Sequence, residues 1–88
     1  MNFYDVIRSV AEILSKADVP YTINECYDGW QLRFPWSNGD IICHSGSYGS
    51  AKGHVESYMF PWDEDDVTEL TPKEAAGLIT IEYIKRGE

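Results

Sequence analysis

Residues 21–44, YTINECYDGWQLRFPWSNGDIICH, decide the fold, because their apolar residues recur with a period of two. Tyr21, Ile23 and Tyr27 alternate with Thr22, Asn24 and Cys26, and Trp30, Leu32, Phe34 and Trp36 alternate with Gln31, Arg33 and Pro35. Such alternation marks strands with one buried face. Asp28-Gly29 between the two runs predicts a two-residue hairpin turn, since both central residues of that turn take positive φ. The register that follows sets Tyr27 opposite Trp30, Glu25 opposite Leu32, Ile23 opposite Phe34 and Tyr21 opposite Trp36. One face then gathers seven apolar residues and the Glu25 carboxylate, and it needs a cover. A second turn signal, Ser37-Asn38-Gly39-Asp40, places Trp36 opposite Ile41, Phe34 opposite Cys43 and Arg33 opposite His44, with a short third strand from Ile41 to His44. Pro35 has no N–H to give a ladder, so it belongs where no neighbour needs one, such as a bulge.

The cover lies upstream. Phe3, Val6, Ile7, Val10, Ile13, Leu14 and Ala17 recur at helical spacing, with Asp5, Arg8, Ser9, Glu12, Ser15 and Lys16 on the other side. Asn2 is the expected cap with Asp5 three residues on, Glu12 and Lys16 form an i,i+4 pair, and Asp18 and Pro20 stop the helix. Downstream, Ser45–Gly53 (SGSYGSAKG) reads as a mobile Gly/Ser loop. A fourth strand runs from His54 to Phe60, with Glu56, Tyr58 and Phe60 on one side and Val55, Ser57 and Met59 on the other, and Pro61 ends it.

Thr71-Pro72-Lys73-Glu74 is a helix start, with Thr as N-cap, Pro at the first helical position and Glu closing a capping box. Ala75, Ala76, Ile79 and Tyr83 then share a face, while Leu78, Ile81 and Ile84 fall away from it. Leu78–Tyr83 also alternates as a strand would; the specific capping box and the length of the segment favour helix. The expected fold is therefore α+β in two layers, with an N-terminal and a C-terminal helix on an antiparallel sheet of three to four strands, in the order α-β-β-β-β-α.

The composition fits residues 1–88 as a single domain of 10.0 kDa, 43% hydrophobic and 14% aromatic. Fifteen acids against seven bases give a net charge of -8, which disfavours direct nucleic-acid binding and an anionic membrane surface. Neither a membrane-spanning run nor a signal-like start is visible, and two cysteines make no disulfide framework, so a reduced, cytoplasmic setting is expected.

Motifs for chemistry are weak. Cys26, Cys43, His44 and His54 lack the paired spacing of a zinc site, and the register puts the two cysteines on opposite faces. Cys43 and His44 are strand neighbours pointing opposite ways, so they do not form a nucleophile pair; only His54, arriving from the loop, approaches either. The loop 46–53 has the wrong order for a phosphate-binding loop, with His54-Val55 reading as strand where a helix should open. No cofactor, metal or catalytic residue is assigned. Glu25 is expected to sit wet at a hairpin tip that projects beyond the helix.

Charge distribution says more. From His54 onward lie nine of the fifteen acids and three of the seven bases, so this last part carries -6 of the -8. Acidic runs are commonly solvated loops, but here Glu56, Asp63, Glu64, Asp65, Asp66 and Glu69 are interleaved with Tyr58, Phe60 and Trp62, residue types that anchor interfaces. These nine are the candidate partner-binding residues, and the expected partner is a basic protein surface.

The short acidic chain, the Asp-Gly and Asn-Gly hairpins and the closing Leu70-Thr71-Pro72-Lys73-Glu74-Ala75-Ala76 helix resemble small accessory proteins of bacteriophages and mobile elements. Some anti-CRISPR proteins are similar in size, acidity and helix–sheet–helix order. That resemblance implies binding to the basic nucleic-acid surface of another protein, and it transfers no functional residue. The alternatives are a structural or regulatory subunit, including a homodimer joined through the apolar back of the last helix, and a small enzyme using His54, Cys43 or Glu25.

Overall fold

A computed structural model describes residues 2–58 and 67–87. Helix α1 (Phe3–Lys16) is followed by strands β1 (Thr22–Cys26), β2 (Gly29–Phe34), β3 (Ser37–Cys43), β4 (Val55–Tyr58) and β5 (Val67–Leu70), and helix α2 (Pro72–Arg86) closes the chain. The strands form one antiparallel sheet in the order β1-β2-β3-β4-β5. The architecture is α+β as expected, with one strand more than the sequence suggested. β5 is the addition.

Helix α1 starts where Asn2 accepts a hydrogen bond from the Tyr4 amide at 2.8 Å. Its end is a left-handed cap: Asp18 takes φ 57, the Asp18 amide bonds Ser15 O, and the Val19 amide reaches back to Leu14 O at 3.0 Å. The buried stripe is Val6, Ile7, Val10, Ala11 and Leu14. It is rotated from the expected one: Ile13 is 39% exposed and Ala17 is the exposed C-cap, while Ala11 takes the inward place. The ion pair on the outer side is Arg8–Glu12 at 2.9 Å, not Glu12–Lys16.

Both hairpins are tighter at different residues than the sequence suggested. In the first, Cys26 pairs with Gly29, Glu25 with Trp30 and Ile23 with Leu32, so the turn is Tyr27-Asp28 with Tyr27 at φ 55. Gly29 is inside β2 for a steric reason. A Cβ there would overlap the Cys43 carbonyl oxygen and lie 2.7 Å from His44 Cα. In the second, Leu32 pairs with Ile41 and Phe34 with Ser37, so Pro35-Trp36 makes the turn. Proline suits a turn's first corner and needs no partner for its nitrogen. Asn38-Gly39 lies instead within β3 as the extra residues of a bulge, opposite the Arg33–Phe34 step of β2.

Both helices cover the same sheet face, where Leu32, Phe34, Ile41, Cys43, Val55 and Leu70 are buried against them. Ala75 and Ala76 are fully buried, small enough to bring α2 against α1. The α2 capping box forms: the Glu74 amide donates to Thr71 Oγ1 and the Thr71 amide to Glu74 Oε1. At the seam between sheet and helix end, Trp36 packs tilted on Phe34 and Tyr83, donates Nε1–H to Pro20 O at 3.0 Å, and lies under the Arg86 guanidinium. Glu25 is exposed on β1, and Tyr27, expected on the covered face, is 92% exposed at the tip.

Gly29→Ala tests the close-approach role. If Gly29 served only the turn, alanine would be mild; overlap with the β3 backbone predicts a loss of about 3 kcal/mol in chemical denaturation.

Candidate functional site

Among the described residues, no helix lies on the other face of the sheet. Alternation brings Asn24, Gln31, Ile42, Glu56 and Glu69 into one cross-strand row, and Thr22, Arg33, Asp40, Tyr58 and Val67 into the next. Three carboxylates and one guanidinium therefore share this open face. Of the nine partner-binding candidates, Glu56 and Tyr58 lie on β4 and Glu69 on β5, all facing this way. Phe60, Trp62, Asp63, Glu64, Asp65 and Asp66 lie outside the described residues, in the connection from β4 to β5.

Asp40 is the member that sequence reasoning missed, having been read as the end of a turn. Its signal was the register: once Pro35-Trp36 turns, Asp40 becomes a strand residue between Arg33 and Tyr58. Gln31 Nε2 donates to Asp40 Oδ2 at 3.0 Å. Burial pushes the Asp40 carboxyl above its ordinary range, opposed by the Gln31 bond and the Arg33 charge and assisted by Glu56. Cys26, half-buried on the same face, has its thiol pushed up by burial, with the Asp40 and Glu56 charges adding to it.

Glu56 and Glu69 stand directly opposite each other across β4 and β5. Like charges in that position repel. The segment Ser45–Gly53 answers this, and it is built rather than loose as its composition suggested. Ser47 Oγ accepts from the His44 amide and donates to His44 O, the Gly46 amide donates to His44 Nδ1, and Ser50–Lys52 forms a 3-10 turn. From this frame the Tyr48 amide donates to Glu56 Oε1 at 3.1 Å. His54 Nδ1 lies 2.6 Å from Glu69 Oε2, and Lys52 Nζ lies 3.9 Å from the same oxygen. Gly49, at φ 77, lets the Glu69 carboxylate pack on its backbone, since a Cβ would sit 2.6 Å from Glu69 Cδ. Two of the candidate acids are thus partly engaged within the chain.

Comparison with protein-family models, curated proteins and solved structures gives no match.

The residues weighed for catalysis do not converge. Cys43 is fully buried on the covered face, its Sγ 3.6 Å from the His54 carbonyl oxygen, and burial pushes its thiol up, away from the thiolate a nucleophile needs. The His44 ring points to the tip, edge-on to Tyr27 at 5.1 Å, and the His54 ring is turned to Glu69. Among the described residues, no three of His, Cys, Asp and Glu come together as metal ligands.

Asp40 offers a pH test of this face. Its acid form is favoured by folding, so its contribution to stability is full below the ordinary aspartate range and is lost as pH rises through the raised value. Asp40→Asn should therefore melt above the wild type at pH 7, with the gap closing as pH falls to about 4. Thermal melts across that range check it, and an equal or lower melting temperature at pH 7 would count against it.

Proposed function

We propose that this chain is a non-catalytic binding module that docks its acidic side on a basic protein surface. The observation that carries the reading is the sheet face that no described helix covers, on which Asp40, Glu56, Tyr58 and Glu69 occupy neighbouring positions. The connection from Tyr58 to Val67, outside the described residues, contributes Asp63, Glu64, Asp65 and Asp66 with Phe60 and Trp62 to the sequence between two strands of this face. Carboxylates steer a cationic partner toward the face over a Debye length, and the aromatic residues supply contact area once it arrives. Glu69 and Glu56 hold the platform in shape through His54, Lys52 and the Tyr48 amide, so the acids of the 63–66 run do most of the steering.

The fuller form of this reading is a phage-type inhibitor that occupies the nucleic-acid-binding surface of its target in place of the nucleic acid. Its support is the net charge of -8 and the helix–sheet–helix order of elements. Two free cysteines on opposite sheet faces suit a reducing, cytoplasmic setting. No helix among the described residues is long and apolar enough to cross a membrane.

The test is paired affinity capture from lysate of the native host, with the wild type and with Asp65→Lys/Asp66→Lys immobilised side by side. The wild type should retain a basic protein at about 0.05 M salt and release it by about 0.5 M, as screening shortens the reach of the acids. The double variant should retain at least tenfold less. A partner whose retention ignores both salt and the two substitutions would end this mechanism.

A further inference from the structure

We infer that the outward face of α2 is a self-association surface that pairs two copies of this chain antiparallel about a two-fold axis. The face is apolar where the monomer gives it nothing to cover: Ile81 is 52% exposed and Ile84 56%. Beside them is an open hollow of about 310 Å³ lined by Lys73, Glu74, Gly77, Leu78 and Ile81.

Gly77 is the second observation. Glycine in a helix interior is the least favourable residue after proline. Close packing against a neighbour would account for it, yet a Cβ at Gly77 meets nothing within 4 Å in this chain. The monomer fold supplies no reason for it. A hollow at Gly77 and protruding isoleucines one and two turns further on form a shape that complements itself.

Charge selects the occupant. Glu74 is the acid of the first turn, and Lys85 and Arg86 are the bases of the last. Arg86 is already drawn to Glu82 at 3.5 Å, whereas Lys85 has no ion pair among the described residues. Residues 74, 78, 81 and 85 lie on one stripe at spacings of four, three and four. An antiparallel second copy sets Leu78 opposite Ile81 and Glu74 opposite Lys85, each pair occurring twice, with the helix dipoles opposed.

A single helix pair buries less than the roughly 1,200–2,000 Å² of a stable interface, so the dimer is weak, half-formed on the order of 10⁻⁴ M. Sedimentation velocity of the full chain from about 20 μM to 1 mM should show the mass rising from 10.0 kDa toward that of two chains. Ile81→Glu should weaken the association at least tenfold, and Lys85→Glu, which faces Glu74 with a like charge, severalfold. Gly77→Leu separates association from folding: it has room in the monomer and improves the helix, so it should raise the melting temperature while abolishing the dimer. A wild type that stays monomeric at 1 mM overturns the inference. So does a dimer of unchanged strength in Ile81→Glu and Gly77→Leu, which would place the contact elsewhere.

Discussion

Leu32 and Ile41 face each other across β2 and β3, both without solvent exposure, beneath the helix stripe that includes Ile7, Val10 and Leu14. Everything else in the sheet is referred to this pair. A slip of one residue would send Gln31, Arg33, Asp40 and Ile42 into the core and leave Leu32 and Ile41 in water, turning every neighbouring strand with them. Burying even one of those charges unpaired costs several kcal/mol, a large part of what a small domain has in total. The close approach at Gly29 follows from the same constraint, because β2 must lie against the end of β3 for the pair to form.

That constraint explains why the fold was legible while its turns were not. The Asp-Gly and Asn-Gly signals each misplaced a hairpin, by two residues along the strand in the first and four in the second. Both shifts are even, so the side chains that stay in the strands kept their faces, while Tyr27 and Trp36 moved into the turns, and the two-layer architecture survived the error. Local turn preference, worth little per turn, yielded to the packing of Leu32 and Ile41 and to a proline whose fixed φ suits the turn it occupies. The helices were legible for a different reason: the Thr71–Glu74 capping box and the α1 periodicity are local and lie close together in sequence. Their finer details depended on tertiary contacts, as the inward place of Ala11 shows.

β5 escaped the sequence because its formation opposes a local rule. Its four residues, Val67–Leu70, alternate too briefly to register, and its pairing sets Glu69 against Glu56. The strand is held by burial of Leu70 beside Val55, and the repulsion is answered by donors brought from the Ser45–Gly53 segment. A composition-based reading sees glycine and serine there and expects mobility. What the composition supplies instead is room for Gly49 under a carboxylate, and buried hydroxyls at Ser47 and Ser50. The same brace changes the meaning of the acidic count, since a net charge does not say which carboxylates are already answered. Asp40, hidden inside an apparent turn, joins the open face, while Glu69 is drawn partly into the chain's own interior balance.

The two proposed surfaces lie on opposite sides of one layered body, which gives their combination a consequence that neither has alone. α2 packs inward on the sheet's covered face, so its own outward face and the open face of the sheet point away from each other. Two chains joined through α2 would hold their acidic faces outward on either side of the two-fold axis. A target with two basic patches, or two targets on one assembly, would then be engaged by one rigid bivalent body. The second contact becomes intramolecular and is strengthened by effective concentration instead of by new contacts. Weak self-association would suit such a device: at low chain concentration the acidic face would act singly, and on a target that gathers two copies side by side the isoleucine stripe would have its partner supplied. In such a pair Gly77 would have a physical account that the monomer lacks, since the helix stability it forgoes in isolation would be offset where a second chain packs into the open space beside it.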